Sequence, residues 1–128
     1  MDALVIEGVV TRGRQIGQTI GFPTVNIPLE EGVCACGVYR TQVRIEGYDK
    51  PFDAMSNVGY NPSVGGRELR LESHLFGFEG ELYGRRIWVL LLDKIRDERC
   101  FASIEELRAQ LMSDREQILL QLQKESTK

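Results

Sequence analysis

The chain has 128 residues, 42% of them hydrophobic, enough for one ordinary domain with a single packed core. Its net charge of −3 argues against nucleic acid as the main partner, because phosphate backbones demand a basic face, although a local basic cluster can still take a small polyphosphate. The longest apolar run, Ile87-Trp88-Val89-Leu90-Leu91-Leu92, falls far short of a membrane span, and Met1-Asp2-Ala3-Leu4 leads into no long apolar stretch, so neither a membrane partner nor a secretion signal is expected.

Leu4 to Val10 reads as a first strand, followed by a polar, glycine-punctuated stretch from Thr11 to Gly21. Thr24 to Pro28 is a short extended piece, since Pro23 and Pro28 forbid helix. Gly37 to Ile45 is rich in β-branched and aromatic residues and predicts a strand, with a turn over Gly47 to Lys50. Phe52 to Val58 opens the next strand, and Gly59 to Gly66 reads as a loop and plausible lid. From Glu68 to Phe76 the residues alternate: Leu69, Leu71 and Leu75 take one face, and Arg70, Glu72 and His74 the other. Arg86 to Leu92 is apolar throughout, as expected of a strand covered on both faces. Ser103 followed by Glu106 is a capping box, and Ile104, Leu107 and Leu111 recur at helical spacing. Asp114 is expected to cap a second helical stretch carrying Ile118, Leu119 and Leu122. Short strands followed by terminal helix predict a mainly β fold: a small antiparallel barrel with helix outside, one domain spanning residues 1–128.

The three cysteines and single His match no zinc spacing and read as reduced thiols of a cytoplasmic protein. Three segments can carry chemistry. Gly8 to Gly21 holds four glycines whose backbone N–H groups can converge on an anion, with Arg12 and Arg14 adding charge-assisted bonds. It is neither a Walker loop nor a dinucleotide fingerprint, and an ordinary glycine-rich turn stays open. In Gly21-Phe22-Pro23-Thr24-Val25-Asn26, Thr24 and Asn26 project to one side, so a hydroxyl and an amide oxygen can hold Mg²⁺, or can merely cap a turn after Pro23. Glu72 is an acid in mid-strand: either a solvated face shared with Arg70 and His74, or a general base that takes the proton of an alcohol attacking phosphorus. His74, on the same face, suits a structural or orienting role, and the aromatic residues are mostly core.

The order of these segments is more specific than any one of them. The glycine-rich loop is followed by Gly-Phe-Pro-Thr-Val-Asn, Gly37-Val38-Tyr39, Asn57-Val58-Gly59-Tyr60-Asn61-Pro62, Leu71-Glu72-Ser73-His74-Leu75, Leu82-Tyr83-Gly84, Ile95-Arg96 and Phe101. From about Ile6 to Leu122 the series resembles the riboflavin kinase family, found alone in eukaryotes and as the C-terminal half of bacterial bifunctional FAD synthetases. The resemblance implies a six-stranded antiparallel Greek-key barrel with a C-terminal α-helix. It also implies transfer of phosphate from ATP to the 5′-hydroxyl of the ribityl chain of riboflavin. By the same resemblance Glu72 is the base, and Thr24 and Asn26 hold Mg²⁺ and the nucleotide phosphates. Gly13, Arg14, Gly17, Gly21 and Pro23 adjoin the nucleotide, and Asn61, Arg96 and Phe101 the flavin. The partners implied are riboflavin and ATP alone, with the chain acting as a monomer or as one module of a bifunctional synthetase.

Two other classes remain open on the sequence. Gln18 and Gly77 depart from the family's usual Arg and Asp, which leaves room for a catalytically silent flavin- or nucleotide-binding barrel. A flavin-reductase-like or lipocalin-like barrel would bind its ligand without phosphate chemistry and without need of Pro-Thr-x-Asn.

Overall fold

The computed structural model describes residues 4–11, 23–63 and 66–126, the side chains of residues 61–63 and 66 excepted. The chain forms two compact units, Met1–Glu98 and Arg99–Lys128.

The first unit is one antiparallel sheet of six strands, β1 (Leu4–Val9), β2 (Val25–Pro28), β3 (Gly37–Ile45), β4 (Phe52–Ser63), β5 (Gly66–Leu75) and β6 (Arg86–Arg96), in the order β1-β6-β3-β4-β5-β2. Three successive strands, β3 to β5, lie side by side and β6 returns to lie beside β3, which is a Greek key. The ends of the sheet meet at Thr11 and Asn26, where Thr11 N–H donates to the Asn26 carbonyl at 2.8 Å, so the barrel is nearly closed. Gly8 makes that approach possible. A Cβ there would stand 3.2 Å from the Cβ of Ile27, tighter than ordinary packing, so the missing side chain lets β1 curl toward β2.

Period-two alternation fills the interior. Ile27, Val43, Ile45, Val58, Leu71, Ile87 and Val89 all point inward and are essentially inaccessible to water. β6 obeys the same alternation: Ile87, Val89 and Leu91 are buried, whereas Trp88, Leu90 and Leu92 are only half-buried. Its apolar run therefore does not signal a strand covered on both faces. β6 also continues to Arg96, through two irregularities in its pairing with β3.

The loop and lid expected over Gly59–Gly66 is instead mostly strand. β4 runs on to Ser63, pairing with β5 as far as Ser63↔Gly66. Glycine, asparagine and proline suggested a break, but β4 pairs with β3 only as far as Val58↔Gly37. Beyond that point it has one neighbour, and an edge strand tolerates a Pro that cannot donate.

The second unit carries one continuous helix, α1 (Ile104–Ser126). Ser103 Oγ accepts from Glu106 N–H at 3.1 Å, and the Glu106 carboxylate accepts from Ala102 N–H at 3.0 Å. This is a capping box shifted back by one residue on its return bond. Asp114 does not start a second helix. It lies buried in mid-helix, where Gln110 Nε2 donates to its Oδ1 at 2.9 Å across one turn, so the helix continues past it.

The barrel interior also contains a chain of hydroxyls. Thr41 Oγ1 lies 2.8 Å from Ser56 Oγ, which lies 2.6 Å from Ser73 Oγ, and all three residues are fully buried. A buried hydroxyl without a partner costs about 1–3 kcal/mol. Ser56→Ala removes the middle of the chain and leaves both neighbours a bond short. It is expected to cost about 2 kcal/mol, read in urea as a lower midpoint with an unchanged slope, while Thr41→Val at the chain's end costs less.

Candidate functional site

The site is laid out by register. β2 pairs with β5 so that Asn26 is opposite Glu72, and β5 pairs with β4 so that Glu72 is opposite Asn57. Val38 of β3 follows as partner of Asn57, and Arg96 of β6 as partner of Val38. Directly paired residues share a face, with Cβ atoms about 4.5–5.5 Å apart. Asn26, Glu72, Asn57, Val38 and Arg96 thus form one row across five strands. Their inward-pointing neighbours, Ile27, Leu71 and Val58, belong to the core, so the row lies on the barrel's outer face.

The row is polar but not freely hydrated. Asn26 is only 3% exposed, and Asn57 and Glu72 are half-buried. The side-chain oxygens of both asparagines, Oδ1 in each case, are buried with no hydrogen-bond partner among the described residues. A buried amide oxygen without a donor or cation is costly, so these two atoms mark places where a ligand would be rewarded.

Around the row, β5 anchors the neighbouring backbone. The Arg70 guanidinium donates to Thr11 Oγ1 at 3.1 Å and bonds Glu68 at the same distance. His74 Nδ1 donates to the Pro23 carbonyl at 2.8 Å. His74 therefore ties the segment that carries Thr24 and Asn26 to β5. A cleft of about 340 Å³ opens beside β2, lined by Thr11, Pro23, Thr24, Asn26, Ser73 and Phe78 among others. Glu72 is not among the lining residues and stands next to the cleft, across the ladder from Asn26. Phe78, in edge contact with Phe52 and Tyr48, gives the cleft an aromatic wall.

The structure brings Pro23, Thr24 and Asn26 together at the cleft, with Glu72 adjoining and Arg96 at the far end of the same row. Gly13, Arg14, Gly17 and Gly21 lie outside the described residues, and Asn61 is described only as backbone, paired with Glu68. Phe101 belongs to the second unit, where the Arg99 guanidinium sits 5.1 Å from its ring centre. Beside Arg96, Lys94 and Asp97 pair at 2.6 Å, and the ammonium holds the Asp97 carboxyl below its usual range. Asn57 was not singled out from the sequence. Its signal was the one that drew attention to Glu72: a strongly polar side chain in mid-strand.

The donor set suits a hard cation. Among the described residues no three His, Cys, Asp or Glu side chains gather to hold a metal. The buried, unpartnered amide oxygen of Asn26 beside Thr24 is instead the kind of oxygen ligand that Mg²⁺ takes together with phosphate and water.

The family model described as Flavokinase: Riboflavin kinase matches residues 2–122. The bifunctional riboflavin kinase/FMN adenylyltransferase of Escherichia coli strain K12 is 46% identical over 110 residues, covering 85% of this chain and 35% of that protein. The chain thus spans about a third of the length of the curated relatives it matches. A solved structure from Streptococcus pneumoniae, named as a macrolide-efflux protein, has a TM-score of 0.78 and 38% identity, covering 89% of this chain and 38% of that one. A riboflavin kinase structure from Trypanosoma brucei shares the fold, with a TM-score of 0.65 and 23% identity over 97% of this chain and 82% of that one.

The His74–Pro23 bond is testable without any ligand. His74→Phe is expected to cost about 1 kcal/mol and to speed amide exchange at Val25 and Asn26, while exchange in the β3–β6 ladder keeps its wild-type order.

Proposed function

Because the chain belongs to the riboflavin kinase family, we propose that it transfers the terminal phosphate of ATP to the terminal ribityl hydroxyl of riboflavin, giving FMN and ADP. One observation carries this reading: an acid in mid-strand, Glu72, is register partner to a buried asparagine, Asn26, whose amide oxygen has no partner among the described residues.

In this reading the Glu72 carboxylate accepts the proton of the ribityl 5′-hydroxyl. The alcohol oxygen bonds to the γ-phosphorus, the bond from that phosphorus to the β-phosphate oxygen breaks, and ADP leaves. Thr24 and Asn26 would hold Mg²⁺, which when bound neutralises charge on the transferring phosphates. Most of the catalytic effect comes from holding the two substrates in line, so one placed carboxylate suffices. Pro23, with Gly13, Arg14, Gly17 and Gly21 of the glycine-rich segment, adjoins the nucleotide, and the cleft beside β2 with its Phe78 wall has the size and lining to receive it. Asn61, Arg96 and Phe101 belong to the flavin side. Supporting that division, Arg96 stands at the opposite end of the row from Asn26.

We take residues 1–128 as one kinase module, working as a monomer or as part of a larger bifunctional synthetase, with no nucleic-acid or membrane partner. No helix among the described residues is long and apolar enough to cross a membrane. The cysteines, three free thiols, support a cytoplasmic location.

Incubation with riboflavin and Mg–ATP, with FMN separated chromatographically, is the direct test. Accumulating FMN is expected, whereas altered flavin fluorescence without product would leave only a binding barrel. Glu72→Gln is expected to lower turnover at least tenfold, about 1.4 kcal/mol of barrier, with ATP binding nearly unchanged; full turnover would remove Glu72 as base. Thr24→Ala should weaken binding of Mg–nucleotide in a calorimetric titration, and equal affinity would count against the ligand assignment.

A further inference from the structure

The row has a second orphan that the reaction as described does not use. Asn57 Oδ1 is buried and lacks a partner among the described residues, and Asn57 is register partner to Glu72 on the side away from Asn26. The order across the strands is Thr24 and Asn26 at the cleft, then Glu72, then Asn57, then Val38, then Arg96. If the phosphates occupy the Asn26 side, the alcohol must reach Glu72 from the Asn57 side. A sugar-alcohol chain arriving there carries hydroxyls on successive carbons. With its terminal oxygen at Glu72, the next hydroxyl along the chain comes toward Asn57. An amide oxygen accepts and an alcohol donates, so the two complete each other.

We propose that Asn57 is a substrate-binding and specificity residue: its amide oxygen accepts a hydrogen bond from the secondary hydroxyl next to the one that is phosphorylated. This rests on the riboflavin phosphorylation proposed above. The bond does two things. It fixes the rotation of the terminal carbon, so that the reacting oxygen is presented to the carboxylate rather than turned away. It also makes the site reject alcohols that lack the neighbouring hydroxyl, because binding them would leave a buried oxygen unpaired. Asn26 and Asn57 then serve opposite substrates from equivalent positions on either side of Glu72.

The test is steady-state kinetics of the full chain with riboflavin and with a riboflavin analogue in which that secondary hydroxyl is replaced by hydrogen. Wild type, Asn57→Val and Asn57→Ser are compared. Wild type is expected to favour riboflavin by about tenfold or more in kcat/KM. Asn57→Val is expected to turn both alcohols over at the rate wild type shows with the analogue, and to leave the KM for ATP unchanged. Should the Val variant fail to fold, Asn57→Ser carries the comparison, and its preference must be smaller than that of wild type. A general structural defect slows both alcohols equally and keeps the ratio, so an unchanged ratio in the folded variants overturns the assignment. Equal use of the two alcohols by wild type overturns it too, while leaving riboflavin phosphorylation intact. Absence of any FMN from wild type removes the phosphotransfer reading itself, and the role of Asn57 with it.

Discussion

The candidate chemistry depends on the register between β2, β5 and β4. Side chains alternate along a strand, so a slip of one residue would send Asn26, Glu72 and Asn57 into the core and bring Ile27, Leu71 and Val58 out to water. Hydrophobic burial therefore enforces the alignment of the polar residues. The apolar residues that hold the register lie one position away from each polar one, on the opposite face. The strand that carries Asn26 is short, only four residues, and gains little from its own ladder. Its alignment is backed by Ile27, which is wholly buried, and by the bridge from Thr11 that joins the two ends of the sheet.

Much of this was legible in the sequence because alternation is a local signal. Gly37–Ile45 coincides with β3, and the faces assigned to Leu69, Leu71, Leu75 and to Arg70, Glu72, His74 are the faces observed. What failed depended on neighbours that no local pattern reveals. Pro62 looked like a break, yet it sits where β4 has lost β3 and keeps only β5. The apolar run of β6 looked covered on both sides, yet burial falls on alternate residues. Asp114 looked like a cap, yet the helix runs through it with Gln110 bonded to its carboxylate. The pairing of Glu72 with Asn26, from a strand far away in sequence, was beyond any local reading, and its pairing with Asn57 was hidden because the hairpin end of β4 and β5 looked like a loop.

The interior shows the same economy with polar groups. Thr41, Ser56 and Ser73 sit where packing alone would favour valine or alanine, and they stay satisfied by bonding one another. Ser73 follows Glu72 in the chain and lines the cleft, so β5 presents a carboxylate on one face and the end of a hydroxyl chain on the other. The two faces are thereby tied to one strand, and a shift of β5 would disturb both at once.

The anchors on either side of Glu72 have a consequence for how the polar row keeps its alignment. Arg70 grips Thr11 and His74 grips the Pro23 carbonyl, so the chain is clamped to β5 both where it enters and where it leaves residues 12–22. Thr11 and Pro23 are thereby held to the strand that carries Glu72, so the Asn26–Glu72 alignment is braced on both sides of the acid.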